Sequence, residues 1–218
     1  MGLEQRSGTL GRRCLLMWNY EKRLQFPVNI KTPCPKTATL IITQFGGPDG
    51  ELAASMRYLS QRYSMPYKEV GGLLTDIGTE ELAHMEMICA IVHQLTRNLT
   101  EEQLKTDGFD TYYVDHTTAC WPTAAAGIPF NACEFQSKGD CITDLTEDLA
   151  AEQKARTTYD NILRVVKDPD VLAPIRFLRA REVVHFQRFG EALRSVQEKL
   201  DFKNFYAFNP EIDKKFMA

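Results

Sequence analysis

The feature that most constrains this chain is a repeated device, the two Glu-x-x-His tetrads Glu81-Leu82-Ala83-His84 and Glu182-Val183-Val184-His185. At helical pitch residues i and i+3 lie on one face, one turn apart, so each tetrad aims a carboxylate and an imidazole the same way. A four-helix bundle that binds two metals takes such a pair from each of two helices and one further Glu from each of the other two. The chain offers these at matching distances: Glu51 lies 30 residues before Glu81, and Glu152 lies 30 residues before Glu182. From Glu51 a helix can run about three turns to Tyr63, turn through Ser64-Met65-Pro66 and return to Glu81 at the same height. From Glu152 the chain can climb to Lys167, turn at Asp168-Pro169-Asp170 and descend to Glu182, with both prolines expected at first helical positions. Antiparallel helix pairs about 10 Å apart then let six side chains converge on a single dinuclear site.

One tetrad alone is common by chance and usually a solvated pair. Two with paired upstream glutamates are not. Leu82, Met85, Ile88, Val183, Val184 and Phe186 flank the polar residues on both helices and are expected to bury them. Buried carboxylates without partners are costly, and a metal pair supplies the compensation.

Composition narrows the class. A chain of 218 residues with 44% hydrophobic and 25% charged residues fits one globular domain. A net charge of -3 gives no reason to expect nucleic acid or an anionic membrane as partner. The apolar runs are too short to span a bilayer, and Arg12-Arg13 leads only into Cys14-Leu15-Leu16-Met17-Trp18, so no membrane span and no secretion are expected. Six cysteines form no C-x-x-C pair and match no zinc spacing. They read as thiols, with Cys120, Cys133 and Cys141 near enough in sequence to bridge in an oxidising setting.

Residues 1–16 carry no periodicity and read as an upstream extension, ahead of a single domain over 17–218 that opens with the aromatic anchors of Met17-Trp18-Asn19-Tyr20. Pro27, Pro33 and Pro35 favour an extended strap across the bundle. Helices are expected over about 36–63, 66–97, 143–167 and 169–199. Gly46-Gly47-Pro48-Asp49-Gly50 predicts a kink in the first, either as a plain hinge or as a close approach of backbone to a neighbouring helix or the metal site. In the second, Gly71, Gly72 and Gly78 suggest close packing, and Leu74, Ile77, Met85, Ile88 and Ile91 mark the core side. His93, nine residues past His84, falls on the opposite side of that helix and is not expected to be a ligand. Residues 98–143 have turn formers and aromatics (Phe109, Tyr112, Tyr113, Trp121, Phe130, Phe135) but no helical period, and read as a long crossover with His116 in a surface loop. The tail, with Phe202, Phe205, Tyr206 and Phe208, is expected to bind a neighbouring subunit.

From Met17 to about Asp213 the chain resembles the non-haem manganese catalases, and within them the spore-coat-associated type of spore-forming bacteria. The strings that carry the resemblance are Phe45-Gly46-Gly47-Pro48-Asp49-Gly50-Glu51-Leu52, Thr79-Glu80-Glu81-Leu82-Ala83-His84, Ser137-Lys138-Gly139-Asp140 and Ala150-Ala151-Glu152-Gln153-Lys154-Ala155-Arg156. It implies an all-α, ferritin-like four-helix bundle with one long crossover and extended N- and C-terminal segments. It also implies two manganese ions per subunit, with Glu51 and His84 as terminal ligands of one, Glu152 and His185 of the other, and Glu81 bridging. Tyr58 matches the family's tyrosine near the metals, and Glu182 its outer-sphere glutamate. Where some members have an arginine before the third-helix glutamate, this chain has Ala151.

The implied reaction is disproportionation of hydrogen peroxide to water and dioxygen, in a homo-oligomer that the resemblance suggests is a hexamer. The implied location is the mother-cell cytoplasm or the spore coat, with other coat proteins as partners. Two other readings stay open. Carboxylate and imidazole ligands suit iron as well as manganese, so a ferritin-like di-iron oxidase, peroxidase or ferroxidase competes, although no rubredoxin-like C-x-x-C accompanies it. A structural coat protein with residual activity is the other.

Overall fold

Prolines and glycines set some of the helix ends. The structure, a computed structural model, describes residues 21–200 apart from 22, 107 and 135. The expectations for residues 1–16, for the Met17 to Tyr20 anchors and for the aromatic tail lie outside the described residues. Among those described, the chain is helical, with only an isolated bridge between Thr123 and Pro129.

The first helical segment is not one kinked helix. It is three pieces, α1 (Pro35–Ile41), α2 (Thr43–Gly46) and α3 (Glu51–Gln61). The break falls where Gly47 and Gly50 are both extended, with ψ of 167° and 168°. Gly46 explains why. A Cβ there would overlap the backbone of Pro122 and Thr123, so only glycine lets the crossover lie against this turn. The backbone does make a close approach, but to the crossover and not to a neighbouring helix or the metal site as expected.

The second segment is α4 (Lys68–Thr96), which starts two residues after Pro66 with Tyr67 as its N-cap, so Pro66 is not the first helical residue. Among its glycines only Gly78 meets a neighbour closely, since a Cβ there would press on the Leu59 side chain of α3. Nothing comparably close faces Gly71 or Gly72.

The crossover contains two short helices that periodicity does not reveal, α5 (Glu101–Thr106) and α6 (Asp110–His116). Local capping starts α5: the Thr100 N–H donates to Gln103 Oε1 (2.9 Å) and the Gln103 N–H to Thr100 Oγ1 (3.2 Å), a capping box. His116 therefore ends a helix, rather than lying in a loop, and stacks on Trp121 with ring centroids 4.7 Å apart.

The second hairpin is α7 (Cys141–Val165) and α8 (Pro169–Lys199). Asp140 caps α7 by accepting from the Thr143 N–H (2.8 Å). Asp168 caps α8 by accepting from the Asp170 N–H (2.9 Å), with Pro169 as first helical residue. α3 pairs with α4 and α7 with α8, the antiparallel arrangement that short connections enforce.

Two apolar layers form. One contains Met87, Ile88, Ile91, Tyr159, Ile162, Ile175 and Leu178, and the other Tyr58, Leu74, Ile77, Leu145, Phe189 and Val196. Between them along α4, α7 and α8 fall Glu81 and His84, Glu152, and Glu182 and His185, so a polar layer is sealed on both sides by hydrocarbon. No helix among the described residues is long and apolar enough to cross a membrane.

Candidate metal centre

Four carboxylates and two imidazoles occupy that polar layer. Glu51 (2% exposed), Glu81 (1%), Glu152 (1%), Glu182 (2%), His84 (0%) and His185 (0%) all point inward. The residues expected to bury them do so only in part: Ile88 is buried and Met85 half-buried, but Leu82, Val183, Val184 and Phe186 are exposed. Each is offset from the inward face by a part-turn, and burial comes instead from residues a full turn away, such as Ile77, Met87, Leu178 and Phe189. His93 is exposed, away from the site.

Potential donor atoms of Glu51, Glu81, His84 and Glu182 lie within 4.8 Å of one another, as do those of Glu81, Glu152, Glu182 and His185. Glu81 and Glu182 belong to both groups. Glu81 reaches both imidazoles, with Oε2 2.8 Å from His84 Nδ1 and Oε1 2.7 Å from His185 Nδ1. The same ring nitrogens stand 3.7 Å from Glu51 and 3.6 Å from Glu152. The rings stack 5.6 Å apart.

The protein alone does not satisfy this cluster. Glu81 Oε1, Glu152 Oε2, Glu182 Oε1 and His185 Nδ1 are buried and make no hydrogen bond of good geometry, a state that costs several kcal/mol, of the order of 1–3 per group, without compensation. Burial, reinforced by Glu81, pushes the Glu51 carboxyl up to about 8. Burial also raises Glu152, and raises Glu182 well above the usual range with Glu152, Glu51 and Glu81 adding to it. Burial acts on Glu81 in the same direction, but His185 and His84 outweigh it and hold that carboxyl low. Four carboxylates crowded in a dry layer with two nitrogen donors fit a pair of divalent cations, whose charge replaces the protons.

Around the six lies a second set of contacts, part of which sequence reasoning missed. Tyr58 Oη donates to Glu152 Oε1 at 2.5 Å. Tyr159 makes the matching bond to Glu51. Each tyrosine stands seven residues after the glutamate of its own helix and serves the glutamate of the opposite hairpin. The interval that picks out Tyr58 would have found Tyr159. Burial, with Glu152 and Asp148 nearby, holds the Tyr58 phenol well above its ordinary pKa, and burial with Glu51 does the same for Tyr159, so both remain donors. Ala151 is buried and contributes no charge. Arg57 is the buried guanidinium that acts on Tyr58, opposing that rise.

Glu80 was also missed. It sits beside the tetrad, and its carboxylate lies 3.5 Å from His84 Nε2 and 3.1 Å from His185 Nε2. Arg181, the residue before Glu182, holds it from the other hairpin at 2.7 and 3.1 Å, and Gln25 adds a bond at 2.8 Å. The bond to Glu80 orients the His185 ring with Nδ1 facing the centre, whereas His84 Nε2 is near Glu80 without a hydrogen bond of good geometry. The doubled Glu80-Glu81 was the available signal. Replacing Glu80 by Ala is expected to weaken metal binding by roughly 10- to 100-fold, the usual cost of losing a ligand's outer partner. Metal retained after a chelator challenge measures it, against an unchanged helical circular dichroism spectrum.

Two antiparallel hairpins carrying converging carboxylates and two imidazoles define the class of dinuclear-metal carboxylate bundles. The family model for manganese-containing catalases matches residues 17–214, and the chain belongs to that family. It is 52% identical to protein CotJC of Bacillus subtilis, covering 87% of this chain and all of the relative. It is 32% identical to a probable manganese catalase of Clostridium acetobutylicum, covering 87% and 85%. Among solved structures, KatB, a manganese catalase from Anabaena, superposes with a TM-score of 0.78 at 29% identity, covering 85% of this chain and 84% of that one. The protein is thus a ferritin-like bundle and a manganese catalase, with hydrogen peroxide as its substrate and a manganese pair as its cofactor.

Proposed function

We propose that Glu51 and His84 hold one manganese, Glu152 and His185 the other, and Glu81 both, while Glu182 moves protons during peroxide disproportionation. The observation that carries this is Glu81's reach to both Nδ1 atoms, with Glu51 behind one and Glu152 behind the other. The metal pair supplies the two-electron redox change that turns two hydrogen peroxide molecules into two waters and dioxygen. The chain's own residues do the rest. Tyr58 and Tyr159 each occupy one oxygen of a terminal carboxylate and leave the other free to turn inward. Glu80 keeps the His185 imidazole in one tautomer, with the proton on Nε2 and the lone pair on Nδ1. Glu182, raised by burial, takes a proton from peroxide and returns it to the departing oxygen. Hydrocarbon on both sides keeps bulk water out of this exchange.

The test is peroxide-dependent oxygen release from purified protein, with metal content measured on the same sample. Oxygen release that scales with manganese supports the assignment. Iron-loaded protein that consumes peroxide without releasing oxygen would favour the di-iron reading.

We further propose a homo-oligomer, a hexamer, and a spore-associated location in the mother-cell cytoplasm or the coat, alongside coat proteins. The exposed Leu82, Val183, Val184 and Phe186, together with Trp121 and Ile128 of the crossover, support the first, because a monomer that leaves such residues in water gives up their burial. The resemblance to the spore-coat-associated type and the half-identical Bacillus subtilis relative support the second. Light scattering at micromolar concentration is expected to give six times the 24.9 kDa chain mass. A monomer would overturn the proposal.

A further inference from the structure

Five cysteines lie among the described residues, all as free thiols. The cluster suggested by sequence does not form as a unit: Cys133 is exposed and Cys141 is buried at the start of α7. Cys120 instead meets Cys89 of α4, a partner 31 residues away. Its Sγ lies 3.5 Å from the Cys89 carbonyl oxygen, to which the thiol donates.

This approach is built rather than incidental. Tyr112 of α6 donates its hydroxyl proton to the Ala119 carbonyl (2.8 Å) and accepts from the Trp121 N–H (3.2 Å). The residues on either side of Cys120 are therefore tied to one phenol, while His116 stacks on Trp121 from the same helix. Tyr112 and His116 also line a cavity of about 350 Å³, which neither cysteine lines. Both cysteines are half-buried, neither sealed nor fully open. On the other side, Cys89 belongs to the helix that carries Glu81 and His84.

We propose that Cys89 and Cys120 are a peroxide-oxidised thiol pair, which closes to a disulfide and staples the crossover to the metal-bearing helix α4. The Cys89 sulfur attacks one oxygen of hydrogen peroxide; the O–O bond breaks, and the departing hydroxide takes a proton to leave as water. Cys89 is then a sulfenic acid. The Cys120 sulfur attacks it, the S–O bond breaks, and the Cys120 proton leaves with the hydroxyl as a second water. Two thiols lose two electrons in all, and one peroxide becomes two waters. The oxidant is the substrate the protein already handles. The order of attack follows the neighbouring thiols' influence on each other: Cys120 draws the Cys89 thiol below its ordinary value, while Cys89 and burial leave Cys120 above its own. Cys89 is the better nucleophile and Cys120 the resolving partner.

The experiment exposes the holoenzyme to hydrogen peroxide generated slowly by glucose oxidase, alkylates it in acid and maps its peptides by mass spectrometry. Cross-linked Cys89 and Cys120 peptides are expected, with Cys34, Cys133 and Cys141 alkylated. In Cys120→Ser the cross-link should vanish and dimedone should label Cys89. Dithiothreitol should abolish the cross-link in the unsubstituted protein. Full alkylation of both cysteines after exposure, or a cross-link running to Cys133 instead, overturns the proposal, as does Cys89 unlabelled by dimedone in Cys120→Ser.

Discussion

Replacing His185 by alanine is expected to strip most of the bound metal and with it the oxygen release. His185 carries the only nitrogen donor of its half of the site, with Nδ1 2.7 Å from Glu81 and 3.6 Å from Glu152. Alanine removes that donor and leaves three carboxylates to hold a cation in a layer where they repel one another. The loss should exceed the roughly 10- to 100-fold that an outer partner costs. Metal analysis after gel filtration reads it, and a His185→Ala protein that still carries two ions per chain would mean the ligand set is wrong. The same residue gives metal uptake a pH dependence. Burial pushes the His185 imidazole down, but Glu81, Glu152 and Glu80 outweigh this and raise its pKa well above the ordinary value. A proton therefore competes with metal for the ring at neutral pH, and uptake by the metal-free chain should strengthen as pH rises, with protons released on binding.

Glu182→Gln is expected to leave both metals bound and to lower oxygen release by about 10²-fold or more, the usual scale for a lost general base. Glutamine keeps the size of the side chain and its hydrogen bonding but cannot carry a proton back and forth. The geometry makes this the discriminating substitution, because Glu182 lies close enough to both donor groups to bind metal directly, as a di-iron oxidase site would have it. Its free Oε1 and its raised pKa suit a proton carrier equally. Metal loss in this variant would make Glu182 a ligand and favour the oxidase-like arrangement. Intact metal with intact turnover would remove it from proton transfer.

The site was legible in sequence because helical pitch is regular. Once Glu51, Glu81, Glu152 and Glu182 are known to share a 30-residue interval, their common height follows from rise per residue alone. The outer contacts were less legible for a physical reason. Tyr159, Glu80 and Arg181 act across the gap between hairpins, and a pattern along one helix says nothing about which residue of another it will meet. The apolar flanks show the same limit: Leu82 and Val183 adjoin buried glutamates in sequence but stand about 100° around the helix from them, so adjacency does not imply shared burial. Short local helices escaped because α5 and α6 span only six and seven residues, too short for periodicity to register.

The turn at Gly46 carries a consequence for how this protein can vary. Residues 46 to 50 hand the chain directly to Glu51, and the backbone of Pro122 and Thr123 rests on that turn. Length can therefore be gained or lost after Thr123, in the exposed stretch around Ala125 to Gly127, without disturbing a metal ligand. A one-residue insertion a few positions earlier would shift the backbone that bears on Gly46, and with it the register at which Glu51 enters its helix. A segment that holds none of the proposed metal-binding residues thus limits which members of a lineage can keep the first half of the site.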